Sequence, residues 1–196
     1  MLYLGLLERI RRIVAGYIDS VAEIAVKLKL TPGSICLLGL LFASASGCIL
    51  YIYGSSLLPY AGILILLSGF MDALDGAVAR LTNRVSRFGA FLDSTVDRVE
   101  ESIILGGIML GGLCSIHAGL IALIGSFLTS YMRARAESIG INLAGVGLGE
   151  RAERILILSF LTMFGYPGIA VIVVAVVATI TSIQRFIYVY VRSRSL

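Results

Sequence analysis

The chain is poor in charge. Asp, Glu, Lys and Arg make up 14% of its 196 residues, against about 25% in soluble globular domains. Apolar residues make up 58%. That balance excludes an ordinary water-soluble globule. It also excludes a disordered chain, whose apolar content is low. Cysteine is scarce: Cys36, Cys48 and Cys114 are odd in number and show no CxxC spacing, which argues against a disulfide framework and a zinc site. They read as small packing residues. The single histidine, His117, falls at a predicted turn and reads as a surface residue. Glycine is common, but it shows no collagen period, and no repeat of solenoid length is visible.

The placement of the few charges is informative. None falls between Leu30 and Met71, between Ser102 and Met132, or between Ile155 and Gln184. A spanning helix needs about 20 apolar residues. Each window also carries helix breakers near its middle: Tyr53-Gly54-Ser55-Ser56 with Pro59, Gly111-Gly112 through Gly119, and Gly165-Tyr166-Pro167-Gly168. The pattern predicts three helical hairpins, with spans near 33–53, 57–81, 87–112, 116–140, 151–166 and 168–191. The expected fold is therefore an all-α integral membrane protein with six transmembrane helices. All 16 Lys and Arg residues lie at one end of these spans. The positive-inside rule then puts both termini and all the charged chemistry on the cytoplasmic face of the cell membrane.

Residues 1–30 form a separate segment ahead of the membrane domain at 31–196. Within it Leu6, Ile10, Ile13, Tyr17, Val21, Ile24 and Leu28 recur every three or four positions, with charges on the other faces. This predicts an amphipathic helix, lying in the membrane interface or packed on the cytoplasmic ends of the bundle. Interspersed charges argue against a cleavable signal peptide. Thr31-Pro32 suits the start of the first span, with Thr as N-cap and Pro in the first helical position.

The second and third spans carry the chemistry. Asp72 and Asp75 are three apart, and Asp93 and Asp97 are four apart, so each pair shares a helix face. A short polar link near Thr82 to Arg87 makes the two helices antiparallel neighbours. Four isolated carboxylates deep in a membrane would cost on the order of 10 kcal/mol. A divalent cation compensates them, and hard oxygen ligands suit magnesium, manganese or calcium. Gly76 and Gly89 allow a ligand to approach closely, and Ala79 and Ala90 keep the same surfaces narrow. Glycine and carboxylate together point to a phosphate-bearing ligand over a metal.

The run D-x2-D-G-x2-A-R-x8-G-x3-D-x3-D is filled by Asp72, Asp75, Gly76, Ala79, Arg80, Gly89, Asp93 and Asp97. It resembles the signature of the CDP-alcohol phosphotransferases, a family with six spans, and the likeness covers the chain from about Leu30 onward. The resemblance implies that Asp72, Asp75 and Asp93 are metal ligands for Mg2+ or Mn2+. Asp97 would serve as a further ligand or as general base, so that Asp93 and Asp97 stand nearest the catalysis. It implies a CDP-linked lipid donor, with Gly76, Ala79, Arg80 and Gly89 lining the nucleotide pocket. Leu30-Thr31-Pro32-Gly33 is similar to the family's LTPN-like segment near the cytidine, with Gly33 where asparagine is common. That places Pro32 in the pocket as well. A homodimer is implied by the same resemblance, and no nucleic-acid partner is expected.

The acceptor is read from arginines. Arg133 and Arg135 follow the fourth span, and Arg151 and Arg154 open the fifth. Arginine suits bidentate phosphate binding. Positive-inside anchoring, with pairs such as Arg133–Glu137, is the plainer account of any one of them. The two runs are also similar to the [KR]-A-R-A-E and E-R-x-E-R segments of phosphatidylinositol-phosphate and archaetidylinositol-phosphate synthases. That implies an inositol phosphate acceptor held by Arg133, Arg135 and Arg154. Glycerol phosphate, serine and free inositol are the alternative acceptors. A cation- or proton-coupled transporter is the alternative class, but the outer halves of the spans carry no charge to continue a pathway.

Overall fold

The computed structural model describes the backbone of residues 2–194 and the side chains of residues 15–194. Among the described residues there are seven α-helices and no strand: α1 Leu2–Lys27, α2 Pro32–Tyr53, α3 Leu58–Leu81, α4 Arg87–Leu110, α5 Ile116–Ser138, α6 Arg151–Met163 and α7 Pro167–Ser193. A single 3-10 turn, Gly54–Leu57, joins α2 to α3. Thr31 caps α2 in a reciprocal capping box with Ser34, and Pro32 takes the first turn. The hairpin turns fall on the glycines, Gly54 at φ 54°, Gly112 at φ 70° and Gly165 at φ 92°, where a residue without Cβ reverses the chain at no steric cost.

The helices meet through small residues. A Cβ on Gly107 would strike the backbone of Gly47, so α2 and α4 approach backbone to backbone. Ser46 Oγ donates to the Ala61 carbonyl at 3.0 Å, and Ser159 Oγ to the Gly62 carbonyl at 2.9 Å. Close approach through small residues with hydroxyl bridges is how helices associate in a bilayer. Between them lies an apolar core that includes Ala43, Leu50, Ile65, Ile104, Leu158, Val171 and Val174. The exterior is also apolar: Leu37, Leu41, Ile63, Ile124, Phe160 and Ile172 all face outward. Such a surface suits lipid, not water.

Two stretches, Pro32–Leu81 and Pro167–Ser193, are long and apolar enough on those grounds alone to cross a membrane. The expected limits of the other spans fall close to α4, α5 and α6, but these helices differ in character. α4 carries Arg87, Asp93, Asp97, Arg98, Glu100 and Glu101, all between its N-terminus and its middle turns. α6 has 13 residues and stops at Met163, not at 166. At 1.5 Å per residue it is about 20 Å long, short of a hydrocarbon core of about 30 Å.

The end of α1 packs against the bundle. Ala22 and Ala25 are buried among Ile35, Leu74, Ala77 and Val78. Tyr17, Ile24 and Leu28, from the expected apolar stripe, remain exposed. Leu6, Ile10 and Ile13 lie outside the described side chains. Ile18, Val21 and Val26 pack half-buried beside these alanines, so α1 contacts the protein through small and large residues alike.

Candidate metal and nucleotide site

The up-and-down order brings the start of α2, the end of α3 and the starts of α4 and α6 to one end of the bundle. The link between α3 and α4 is tightly specified. Thr82 Oγ1 donates to the Val78 carbonyl at 2.7 Å. Asn83 then takes a left-handed conformation, φ 53°, which asparagine tolerates better than most residues. Ser86 caps α4, its Oγ accepting from the Gly89 N–H at 2.9 Å. Three aspartates meet across this turn. Asp72, Asp75 and Asp93 each offer one carboxylate oxygen, all within 4.8 Å of one another.

Asp97 stands next to this trio but has different partners. Its Oδ1 lies 2.8 Å from Arg151 Nη1, and its Oδ2 lies 3.3 Å from Arg98. Arg151 also donates to Asp72 Oδ2 at 2.5 Å and to Glu100 Oε2 at 2.7 Å. Ser68 Oγ donates to the same Glu100 oxygen at 3.0 Å. Arg151 and Arg98 pair with Asp72, Asp97 and Glu100, and Asp75 and Asp93 add two further carboxylates to the cluster. The excess of negative charge, with oxygen donors converging from two helices, fits a hard divalent cation at Asp72, Asp75 and Asp93.

A cavity of about 630 Å³ opens beside the trio. Pro32, Gly76, Ala79, Arg80 and Gly89 all line it, together with Asp75 and Asp93. A Cβ on Gly89 would come within 3.0 Å of Ser86 Oγ, so the pocket wall is close-fitted there. Cys36, Arg84 and Phe88 line the cavity too, although spacing did not single them out. Cys36 is one turn beyond Pro32 on α2, and Arg84 belongs to the polar link, so proximity along the chain was the available signal.

The arginines separate. Arg133 and Arg135 are exposed on the last turns of α5, paired with Glu137 at 3.0 Å and with Ser138 Oγ at 3.2 Å. Arg154 is not beside them in the open. It is 1% exposed, with a forked ion pair to Glu101. Arg151, outside the acceptor set that the resemblance implies, stands at the centre of the carboxylate cluster. Arg185 of α7 also lies inside, donating to the Thr129 and Val146 carbonyls. Sequence reasoning missed Glu100, Glu101 and Arg185. The signal for the first two was present: adjacent glutamates on one helix, and arginines three apart on another.

Residues 29–184 match the CDP-alcohol phosphatidyltransferase family. The chain belongs to that family. Among its relatives, the archaetidylinositol phosphate synthase of Pyrococcus horikoshii is 39% identical over 180 residues, covering 92% of this chain and 94% of that protein. The archaetidylinositol phosphate synthase of Methanothermobacter thermautotrophicus is 42% identical over 194 residues, covering 96% of each. The phosphatidylinositol phosphate synthase of Mycobacterium tuberculosis, solved with CDP-DAG bound, superposes with a TM-score of 0.71 at 27% identity over 88% of this chain and 93% of that one. The same mycobacterial enzyme solved with manganese and citrate gives a TM-score of 0.72, at 27% identity and 88% coverage of both chains. As a CDP-alcohol phosphatidyltransferase the chain is an enzyme, which sets the transporter reading aside.

Proposed function

We propose that this enzyme transfers a lipid phosphate group from a CDP-linked lipid to an inositol phosphate and releases CMP. The observation that carries the reading is the carboxylate trio beside the 630 Å³ cavity, with Asp75 and Asp93 in its wall, in a chain whose relatives are inositol phosphate synthases. Gly76 and Gly89 leave room for the nucleotide, and Arg80 and Arg84 offer positive charge to its diphosphate. Asp72, Asp75 and Asp93 would hold a divalent cation, magnesium or manganese, which would offset negative charge on the phosphoryl oxygens. Arg133 and Arg135, exposed on the last turns of α5, take the acceptor phosphate. The acceptor hydroxyl attacks the phosphorus that bears the lipid. A new P–O bond forms to the acceptor, the P–O bond to CMP breaks, and Asp97 accepts the hydroxyl proton. Arg151 and Arg98 orient Asp97 for that task.

The test is CMP release by the purified protein with a CDP-lipid, magnesium and a panel of acceptors. Inositol phosphate should be used fastest. Preference for free inositol, serine or glycerol phosphate would reassign the acceptor and leave the transferase chemistry standing. Running CDP-archaeol against CDP-diacylglycerol assigns the lipid.

The same reading includes six membrane spans, with both termini and the active site cytoplasmic. Its support is the single charged end of the bundle and the apolar exterior. After native thiols are blocked, Ser55→Cys should react with an impermeant reagent on intact cells, and Ser193→Cys should not; the reverse pattern inverts the topology. A homodimer, implied by the family resemblance, completes the proposal; intermolecular cross-linking in native membranes tests it.

A further inference from the structure

Most of the described Lys and Arg side chains have partners. Arg98, Arg133, Arg151 and Arg154 are ion-paired. Arg135 bonds Ser138, Arg185 bonds two backbone carbonyls, Arg194 lies over the Tyr190 ring, and Arg192 has a partner too. Among the described residues, only Lys27, Lys29, Arg80, Arg84 and Arg87 are left without one. All five stand in or beside two links, the one before α2 and the one between α3 and α4.

The two links flank one opening. Thr31, Pro32 and Gly33 line the 630 Å³ cavity from one side, and Arg84, Val85, Ser86 and Phe88 from the other. The links are also built alike. Lys29 is left-handed at φ 60°, and the Leu30 N–H donates to the Ala25 carbonyl at 3.0 Å. Asn83 is left-handed at φ 53°, and the Arg84 N–H donates to the Ala79 carbonyl at 3.0 Å. In this helix ending glycine, or sometimes asparagine, takes the left-handed position, so the backbone gives no reason for a lysine at 29. Both links set cations beside exposed apolar residues: Leu28 is 68% exposed, Val85 71% and Phe88 70%. No acid occurs from Ile24 to Met71 or from Gly76 to Leu92.

Unpaired cations among exposed apolar side chains, with no acid near in sequence, fit a membrane interface that carries negative headgroups. Arg80 and Arg84 line the cavity and are accounted for by the donor diphosphate. Lys27, Lys29 and Arg87 lie outside its wall and remain. We propose that these three bind the anionic headgroup of a second, non-reacting phospholipid at the mouth of the donor cavity, with Leu28 and Val85 against its chains. The inference rests on the membrane-embedded transferase reading above.

The experiment measures binding of a fluorescent phosphatidylglycerol to the purified full chain in neutral detergent, with CMP and magnesium present to occupy the donor cavity. Unlabelled phosphatidylglycerol should displace it; phosphatidylcholine and inorganic phosphate at equal concentration should not. Each basic residue near an anionic lipid contributes about fivefold. The triple variant Lys27→Gln, Lys29→Gln, Arg87→Gln should therefore bind about tenfold to a hundredfold more weakly, and raised salt should weaken wild-type binding as well. Its CMP release in neutral detergent should stay within about twofold of wild type, with the donor KM unchanged. Lys29→Gly suits the left-handed backbone. It should keep or raise the melting temperature and lose about fivefold in binding, and it decides the matter alone if the triple variant does not fold. Displacement by phosphatidylcholine or by inorganic phosphate overturns the proposal, and so does wild-type binding by the variants. A raised donor KM in the triple variant overturns it too, by giving these cations to the donor site itself. A wild type that binds phosphatidylglycerol but releases no CMP with any acceptor refutes the transferase reading and leaves the lipid site standing.

Discussion

The two sides of the bundle mouth are built from different kinds of information. On the α3–α4 side, the trio and the glycines lie within one stretch of chain from Asp72 to Asp97, joined by a turn of a few residues. Helical periodicity and one short link determine who faces whom. On the α6 side, Arg151 meets Asp72 across 79 residues and Arg154 meets Glu101 across 53. Arg151 and Arg154 share a helix face, yet one reaches the aspartates and the other pairs with the buried Glu101. Local spacing brings a residue to a face; only the packing of distant helices decides what it does there.

The sharpest way to break this contrast is to remove the cation from the α3–α4 side. Asp75→Ala or Asp93→Ala should lower turnover by about 10³ or more, since metal charge contributes several kcal/mol and about 1.4 kcal/mol is tenfold in rate. Excess EDTA on the wild type should do the same, with recovery on adding magnesium or manganese. Unfolding should not accompany the loss, and circular dichroism checks that. Full activity in excess EDTA would end the metal mechanism.

The arginines sharpen the comparison at an intermediate scale, because stability and kinetics should move in opposite ways. Arg135→Ala should raise the acceptor KM by about tenfold to a hundredfold, since a hydrogen bond to a charged group contributes roughly 1.5–3 kcal/mol. The donor KM and the melting temperature should hold. Arg133–Glu137, with side chains 45% and 48% exposed, is a surface pair worth about 0–1 kcal/mol. Arg154→Ala should instead leave Glu101 buried without its partner and lower stability by about 3–5 kcal/mol. Thermal melts in detergent beside acceptor titrations separate the two. If Arg135→Ala lowers the melting point while Arg154→Ala raises only the acceptor KM, the two assignments must be exchanged.

Much of the fold was legible because a bilayer imposes simple rules. Charge-free windows and glycine turns placed α2, α3, α5 and α7 to within a few residues. α6 was extended too far because Phe164 and Gly165 look as apolar or neutral as the helix before them; the left-handed Gly165 ends it through geometry that hydropathy does not register. The stripe on α1 was legible as a pattern, but not that Ala22 and Ala25 would be its contact with the bundle. Asp75, Asp93 and the glycines were legible as a local motif. Asp97 was left between ligand and base because its partner Arg151 comes from another part of the chain. For Arg154 the sequence did not show the burial or the pairing with Glu101.

The smallest effect concerns two glycines on the cavity wall, one at each edge of the pocket. Gly33 and Gly89 both line it. A Cβ on Gly33 meets nothing within 4 Å, whereas one on Gly89 comes within 3.0 Å of Ser86 Oγ, the oxygen that caps α4. Gly33→Ala therefore has no native contact to lose. It should gain about 0.4–1 kcal/mol by reducing the freedom of the unfolded chain, with the donor KM constant within about twofold. Gly89→Ala should disturb a cap worth about 0.5–2 kcal/mol. Because α4 carries Asp93 one turn further on, the donor KM should rise with that disturbance. Thermal melts and donor titrations on the two variants read both quantities. Equal donor KM increases for the two would mean that the nucleotide itself fills the space beside both glycines. An increase for Gly89→Ala alone would mean that Gly89 acts through the Ser86 cap, and that the open edge at Gly33 has room for a larger side chain.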